Sequence, residues 1–326
     1  MPENQSQPAS AKDAGGLEVK RRFTPKPAWL KVKAPSGEKY LAIKDMLKEL
    51  KLATVCQEAR CPNMGECWGG GTATLMLMGD TCTRGCRFCA VKTGNPKGVL
   101  DKEEPEKVGY ALSQMALDYV VLTSVDRDDL PDGGADHFAQ TVENIKEKNA
   151  KIIVEVLTPD FKGDRDCVKR LVSAKPDVFA HNIETVKRLT PGVRDRRANY
   201  DQSLRVLEMV KEIDKSRYTK TSLMLGLGES DDEILETLRD LRSVGCDIVT
   251  FGQYLQPYKR LLKVQEFITP QKFAQWQITA QELGFLYVAS GPLVRSSYRA
   301  GEFFMKGIIE KQRKQQLQGE RQDVQT

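Results

Sequence analysis

The chain of 326 residues has only two histidines, three tryptophans and 7% aromatic residues. Two histidines exclude a His-rich metal site. So few aromatics offer little to the stacking platforms of single-stranded nucleic-acid binders. Neither sign of charge dominates: 50 basic against 45 acidic residues leave +5, spread along the chain. That field is too weak to imply a nucleic-acid partner, though it suits a small acidic protein. No run approaches the roughly 18 apolar residues of a membrane-spanning helix, so no membrane partner is expected. The first residues, MPENQSQPASAKDAGG, lack the apolar core of a secretory signal. The expectation is a cytoplasmic chain with reduced thiols. Composition, 40% apolar and 29% charged, is that of a globular protein with one large domain or two modest ones.

What the sequence does have is cysteine in one place. Six of its eight cysteines fall within residues 56–89, CQEARCPNMGECWGGGTATLMLMGDTCTRGCRFC. They form two triplets, Cys56, Cys61, Cys67 and Cys82, Cys86, Cys89. Clustered cysteines in a reducing compartment are metal or redox groups rather than disulfides. Structural zinc takes four ligands, and each triplet has three. The second triplet, C-x3-C-x2-C, follows an apolar strand and has an aromatic before its last cysteine. Three thiolates on a short loop can hold three corners of a cubane iron–sulfur cluster, whose irons normally take four. One iron is then left open, and an open position is what makes a metal centre catalytic. Gly85 lets the loop wrap closely, and Arg84 and Arg87 add positive charge beside an anionic centre. His137 and His181 lie too far away in sequence to complete a zinc site simply.

From residue 72 short apolar runs alternate with helical patterns. Strands are predicted at 72–79, 119–124, 151–157, 178–183, 218–226 and 247–255, with a further apolar run at 285–290. Helices are predicted at 40–52, 105–117, 135–149, 164–175, 184–190, 201–215, 231–245 and 270–284. Such alternation means βαβ units and a parallel sheet. Six clear units are fewer than the eight of a full barrel. The fold class is therefore α/β, with right-handed crossovers that close the sheet toward a barrel or wind it both ways; a partial (β/α)6 TIM-like barrel is what the family resemblance given below implies. In such folds the site lies at the carboxyl edge of the strands, where Thr123, Ser124, Glu155, Asn182 and Glu229 follow the predicted strands. Residues 17–35, LEVKRRFTPKPAWLKVKAP, are read as a basic strap on the domain surface. Cys167 and Cys246 sit on helical patterns and are read as small buried hydrophobes.

CTRGCRFC resembles the cluster-binding loop of the radical S-adenosylmethionine (SAM) superfamily. C-x4-C-x5-C upstream of it is similar to the lipoyl synthase family. So are TSVDRDDLPDGGADHF (123–138), EVLTPDF (155–161), HNIETV (181–186), VRDRRANYDQSL (193–204), TKTSLMLGLGE (219–229) and RSSYRAGE (295–302). The resemblance covers about residues 40–305. It implies two 4Fe–4S clusters and SAM as cofactors. Cys82, Cys86 and Cys89 would hold the cluster whose open iron chelates SAM, and SAM cleavage would give a 5′-deoxyadenosyl radical. Cys56, Cys61 and Cys67 would hold an auxiliary cluster whose fourth ligand is Ser296 or Ser297, with Ser297 preferred. Thr123 and Ser124 would meet SAM's methionine moiety, and Glu155 and Asn182 its amino group or ribose. LGLGE resembles the superfamily's adenine-side motif, though Ser222 and Met224 depart from it. Arg194, Lys220 and His181 are further site candidates, and His137 is read as structural.

The implied reaction inserts sulfur at C6 and C8 of an octanoyl chain carried on a lipoyl carrier domain or protein, the auxiliary cluster being the sulfur donor. Another radical SAM sulfur-inserting enzyme with an auxiliary cluster is the alternative. An electron donor such as ferredoxin or flavodoxin, and an iron–sulfur carrier to reload the cluster, are the implied partners. Lys20, Arg21 and Arg22 are placed as a docking patch for the carrier. The segments are then a flexible basic extension (1–39), an auxiliary-cluster segment (40–72), the barrel (73–290), a C-terminal RSSY capping segment (291–305) and a polar tail (306–326).

Overall fold

The computed structural model describes residues 26–31, scattered positions between 41 and 64, and residues 74–114, 117, 119–296 and 307–309. Cys67, Ser297, the basic patch Lys20, Arg21, Arg22 and most of the RSSY segment lie outside the described residues.

One sheet of eight strands organises the chain. Its first strand, β1 (Ala53–Thr54), pairs antiparallel with β2 (Thr74–Leu77). Then follow, all parallel, β5 (Tyr119–Ser124), β6 (Ile153–Leu157), β7 (Val178–Ala180), β8 (Tyr218–Leu225), β9 (Ile248–Gln253) and β10 (Tyr287–Gly291). A separate two-stranded ribbon joins β3 (Thr81–Cys82) to β4 (Lys92–Thr93). The six predicted strands are present, and the apolar run near 285 adds a seventh parallel one. β1 and β10 do not pair, so the barrel stays open.

The strands are nearly continuous runs of buried residues, as parallel strands covered on both faces must be. Their outward side chains, such as Leu122, Val154, Phe179, Leu223 and Phe251, pack under α2 (Glu104–Gln114), α3 (Ala135–Lys148), α4 (Arg165–Ser173), α6 (Tyr200–Ile213), α7 (Asp231–Ser243) and α8 (Pro270–Glu282). Side-chain caps fix where several of these helices start: Asp164 before α4, Asn199 before α6, Thr269 before α8, and a Ser230–Glu233 capping box on α7. Among the described residues no helix is long and apolar enough to cross a membrane.

The inward side chains fill the trough in layers. Tyr119, Val121, Ile153, Val178 and Ile248 form the lowest layer, and Ile309, from residues otherwise read as a polar tail, packs into it. Above lies a buried ion pair, Lys220 Nζ to both oxygens of Glu155 at 2.7 and 2.9 Å, with the Tyr119 hydroxyl donating to the same carboxylate. The top layer opens into a cavity.

The helix predicted over 184–190 is not formed. β7 ends at Ala180, and pairing with β8 resumes at a single bridge, Glu184 to Leu223. Glu184 holds a left-handed backbone (φ 69°) there, which helical periodicity could not reveal. The only helix nearby is the one-turn α5 (Thr190–Val193).

Candidate functional site

At the carboxyl ends of the strands lies a cavity of about 530 Å3, a size that holds small ligands. It is bordered by Met76 of β2 and by Gly252 and Gln253 of β9. Those strands are five positions apart, roughly 24 Å across a flat sheet, so one cavity touching both requires the sheet to curl. Cys82, Cys86 and Cys89 line it, and so do Cys56, Cys61 and Ser296. The topology thus brings members of both triplets and the start of the RSSY segment to one space.

The cluster loop is held by the barrel rather than by itself. Thr83 N donates to the Asp126 carbonyl at 2.9 Å, and the β3–β4 ribbon closes the loop behind. Arg84, 5% exposed, forks onto Asp128 (3.0 and 2.9 Å) and onto Asp160 (2.7 and 2.8 Å), and lies 3.3 Å from Asp126. Bidentate pairs of this kind fix position as well as charge. From the opposite side Asp195 accepts from Gly85 N at 2.8 Å, and Arg197 bridges Asp195, Asp128 and the Thr83 carbonyl. Arg84 is therefore not spare charge beside a cluster. Three carboxylates surround it, and it ties the loop to the ends of β5 and β6. Arg87 is likewise engaged, donating to the Gly192 carbonyl at 2.9 Å.

The thiols fit a cubane. Cys82 Sγ accepts from Arg84 N (3.4 Å) and Asp126 N (3.3 Å), and Cys86 Sγ accepts from Asp195 N (3.3 Å). Hydrogen bonds to the sulfurs are a normal part of an iron–sulfur setting. Burial pushes Cys82 and Cys86 up to about 12, and raises Cys61 and Cys89. Protonated thiols are what metal uptake must displace. Among the described residues no three Cys, His, Asp or Glu side chains converge on a single ion. A mononuclear zinc site needs that convergence, whereas cubane thiolates each bind a different iron.

The auxiliary segment and the RSSY turn meet across a long sequence separation. Asn63, 4% exposed, donates from Nδ2 to the Leu293 carbonyl at 2.6 Å, a contact spanning 230 positions. Gly252 permits the approach: a Cβ there would stand 2.2 Å from the Val294 carbonyl oxygen.

The other candidates divide by layer. Thr123, Ser124 and Asn182 line the cavity. Thr123 Oγ1 donates to the Leu157 carbonyl, whereas the buried Ser124 hydroxyl has no partner among the described residues and is free to bond to a ligand or a water. Glu155 does not line the cavity; it belongs to the layer below, paired with Lys220. Glu229 is also turned away, accepting from Gly226 N and Leu227 N to close its own turn. His181 lines the wall, held between the Thr158 carbonyl and Ser203 Oγ at 2.9 Å each, and burial lowers it to about 4. Arg194 donates to the same Ser203 hydroxyl. His137 pairs with Glu104 at 2.7 Å beneath α3, away from the cavity. Cys246 is fully buried and Cys167 partly so, and neither lines it.

Sequence reasoning missed Asp126, Asp160, Glu184 and Arg295, all of which line the cavity. All four sit in stretches already singled out, VDRDD, TPDF, HNIE and RSSY, but nothing in a string tells which charged side chain turns inward.

The family model described as the Radical SAM superfamily matches residues 76–241, and that of the N-terminal domain of lipoyl synthase matches residues 2–61. A protein of Aedes aegypti named "Lipoyl synthase, mitochondrial" is 62% identical over 87% of this chain and 73% of its own. Its namesake from Danio rerio is 60% identical over 88% and 73%. The crystal structure of methylornithine synthase (PylB) superposes with a TM-score of 0.52 over 78% of this chain and 83% of that one, at 14% identity, which speaks to the fold alone. These names correct the cytoplasmic expectation, since the curated relatives are named as mitochondrial. Its basis was the lack of a secretory signal and of a membrane-spanning run, neither of which tells one reducing compartment from another.

Proposed function

The chain belongs to the lipoyl synthase family of the radical SAM superfamily and is an enzyme of sulfur insertion for the lipoyl cofactor, and on that premise we propose how its residues divide the work. Cys82, Cys86 and Cys89 hold a 4Fe–4S cluster and leave one iron to SAM. Cys56, Cys61 and Cys67 hold a second, with Ser297 as its fourth ligand. Ser124, Thr123 and Asn182 receive SAM. Glu155 takes no part, because Lys220 occupies its carboxylate. The observation that carries this reading is the shared cavity, lined by members of both triplets and by Ser296.

When bound, the cofactors supply what no side chain can: one-electron cleavage of SAM to a hydrogen-abstracting radical, and sulfide for the carbon so activated. The protein's part is to place, enclose and exclude. Val125, Leu157, Met224, Leu255 and Val294 give the cavity an apolar wall suited to an octanoyl chain with C6 and C8 at its depth. The wall keeps water from a radical centre. The chain enters on a carrier protein whose surface must close the mouth, where exposed Lys26 stands. An electron donor and an iron–sulfur carrier complete the cycle, since each cleavage consumes an electron and each product removes sulfide.

Anaerobic reconstitution tests the ligand assignment. About eight iron and eight sulfide per chain are expected, falling to about four of each in the Cys56→Ala, Cys61→Ala, Cys67→Ala variant. Zinc without labile sulfide would refute it.

A further inference from the structure

Among the described residues, Arg295 is a cavity-lining cation to which no role has been given. Its side chain lies in the cavity wall, in the turn after β10, and its Nη1 donates to the Val294 carbonyl at 2.7 Å and, more weakly, to the Gln253 carbonyl at 3.4 Å. Both acceptors are neutral. Among the described residues no carboxylate lies within ion-pair distance of it. The contrast with Arg84, surrounded by three aspartates, is direct. A guanidinium cannot shed its proton, and a buried charge without a counter-ion is costly. Among the described residues the guanidinium thus lacks a counter-ion, and a centre of thiolate ligands in the same cavity would supply one. Cys56 and Cys61 line that cavity with Arg295. Asn63 fastens the Cys61 segment to Leu293, two residues before Arg295, so one turn holds both in place.

We propose that Arg295 is the counter-ion of the centre held by Cys56 and Cys61. Its charge, seated at the cavity wall, offsets the negative charge that thiolate ligation gathers there and raises that centre's reduction potential. The proposal rests on the auxiliary-cluster reading above. It gives the first residue of RSSY a task separate from ligation: the serine would complete the coordination, and the arginine would set the charge. Charge beside a cluster and hydrogen bonds to its sulfurs are the levers by which a protein tunes that potential.

The test uses the full chain with Cys82, Cys86 and Cys89 changed to alanine, so that only the auxiliary centre contributes. Arg295→Gln and Arg295→Lys are made in that background, reconstituted anaerobically, and followed by spectroscopically monitored redox titration. Arg295→Gln is expected to hold iron with a midpoint potential shifted negative, and Arg295→Lys to return most of the shift. If Arg295→Gln takes up no iron, Arg295→Lys decides: restored loading and potential support the charge role. Equal failure of both variants means that the residue acts through its bonds to Val294 and Gln253, and overturns it. An unchanged potential in a loaded Arg295→Gln also overturns it. A weakened SAM affinity of the full enzyme at unchanged potential does so too, and assigns the guanidinium to SAM's carboxylate. If the parent without either substitution takes up no iron and sulfide, the proposal falls with the reading beneath it, an outcome told apart because no variant is then needed.

Discussion

Arg84 shows how much one residue can hold at this site. It is buried among Asp126, Asp128 and Asp160, and removing one partner of a buried ion-pair network leaves the rest uncompensated, at about 3–5 kcal/mol. Arg84→Ala should lower the denaturation midpoint accordingly and lose the iron of the Cys82 loop, roughly half the total. Auxiliary iron should remain, and an iron and sulfide assay checks both. His181 makes a pH prediction. Burial holds it neutral, its pKa down to about 4, against about 6.5 in an unfolded chain. Between those values the unfolded state binds a proton that the folded state lacks, so stability falls as pH drops through that window. The contribution is up to about 3 kcal/mol. Asp160, held down to about 2 by Arg84 against the opposing effect of its burial, stays ionised throughout. Thermal melts from pH 7 to 4.5 should show a smaller decline for His181→Gln than for the parent chain.

The RSSY turn lies on the end of β9 because Gly252 has no side chain. Gly252→Ala would set a methyl 2.2 Å from a backbone oxygen, a clash that only backbone movement relieves. The turn must lift, taking Ser296 and Arg295 from the cavity wall. Loss of auxiliary iron with retention of the Cys82-loop iron is expected, read by the same assay, and a variant that keeps both would show that the turn is not needed for loading. At this scale the strands were legible in the sequence, since runs such as YVVLTS and DIVTFGQYL are long, β-branched and bounded by turn residues. The helix predicted over 184–190 was not, because a left-handed residue at Glu184 resumes strand pairing where periodicity continued a helix. The two cysteine spacings named the chemistry. The acids that hold and face the loop were hidden, because turning Asp126, Asp160 and Glu184 inward is a property of strand ends and not of local composition.

The whole molecule explains why two cysteine triplets lie side by side. Seven parallel strands curl so that β2 and β9 border one cavity. The segment before the barrel and the turn after β10 then close over the same space, fastened by Asn63 to Leu293. Among the described residues Cys82, Cys86 and Cys89 and, from the other triplet, Cys56 and Cys61 face one substrate-sized volume, and on the proposed assignment SAM would complete one ligand set and a serine the other. The chain's basic surplus and its polar beginning gave no hint of this arrangement, nor of compartment. A contact spanning 230 positions joins the two ends of the site. The central claim is that the sulfur delivered to the acyl chain comes from the protein's own auxiliary centre. The most direct measurement is mass spectrometry of an octanoylated carrier peptide after a single anaerobic turnover with SAM and reductant, using enzyme reconstituted with heavy sulfide. The account predicts a product bearing two heavy sulfur atoms. Formation of methionine and 5′-deoxyadenosine with a sulfur-free peptide, or with light sulfur in it, would contradict it.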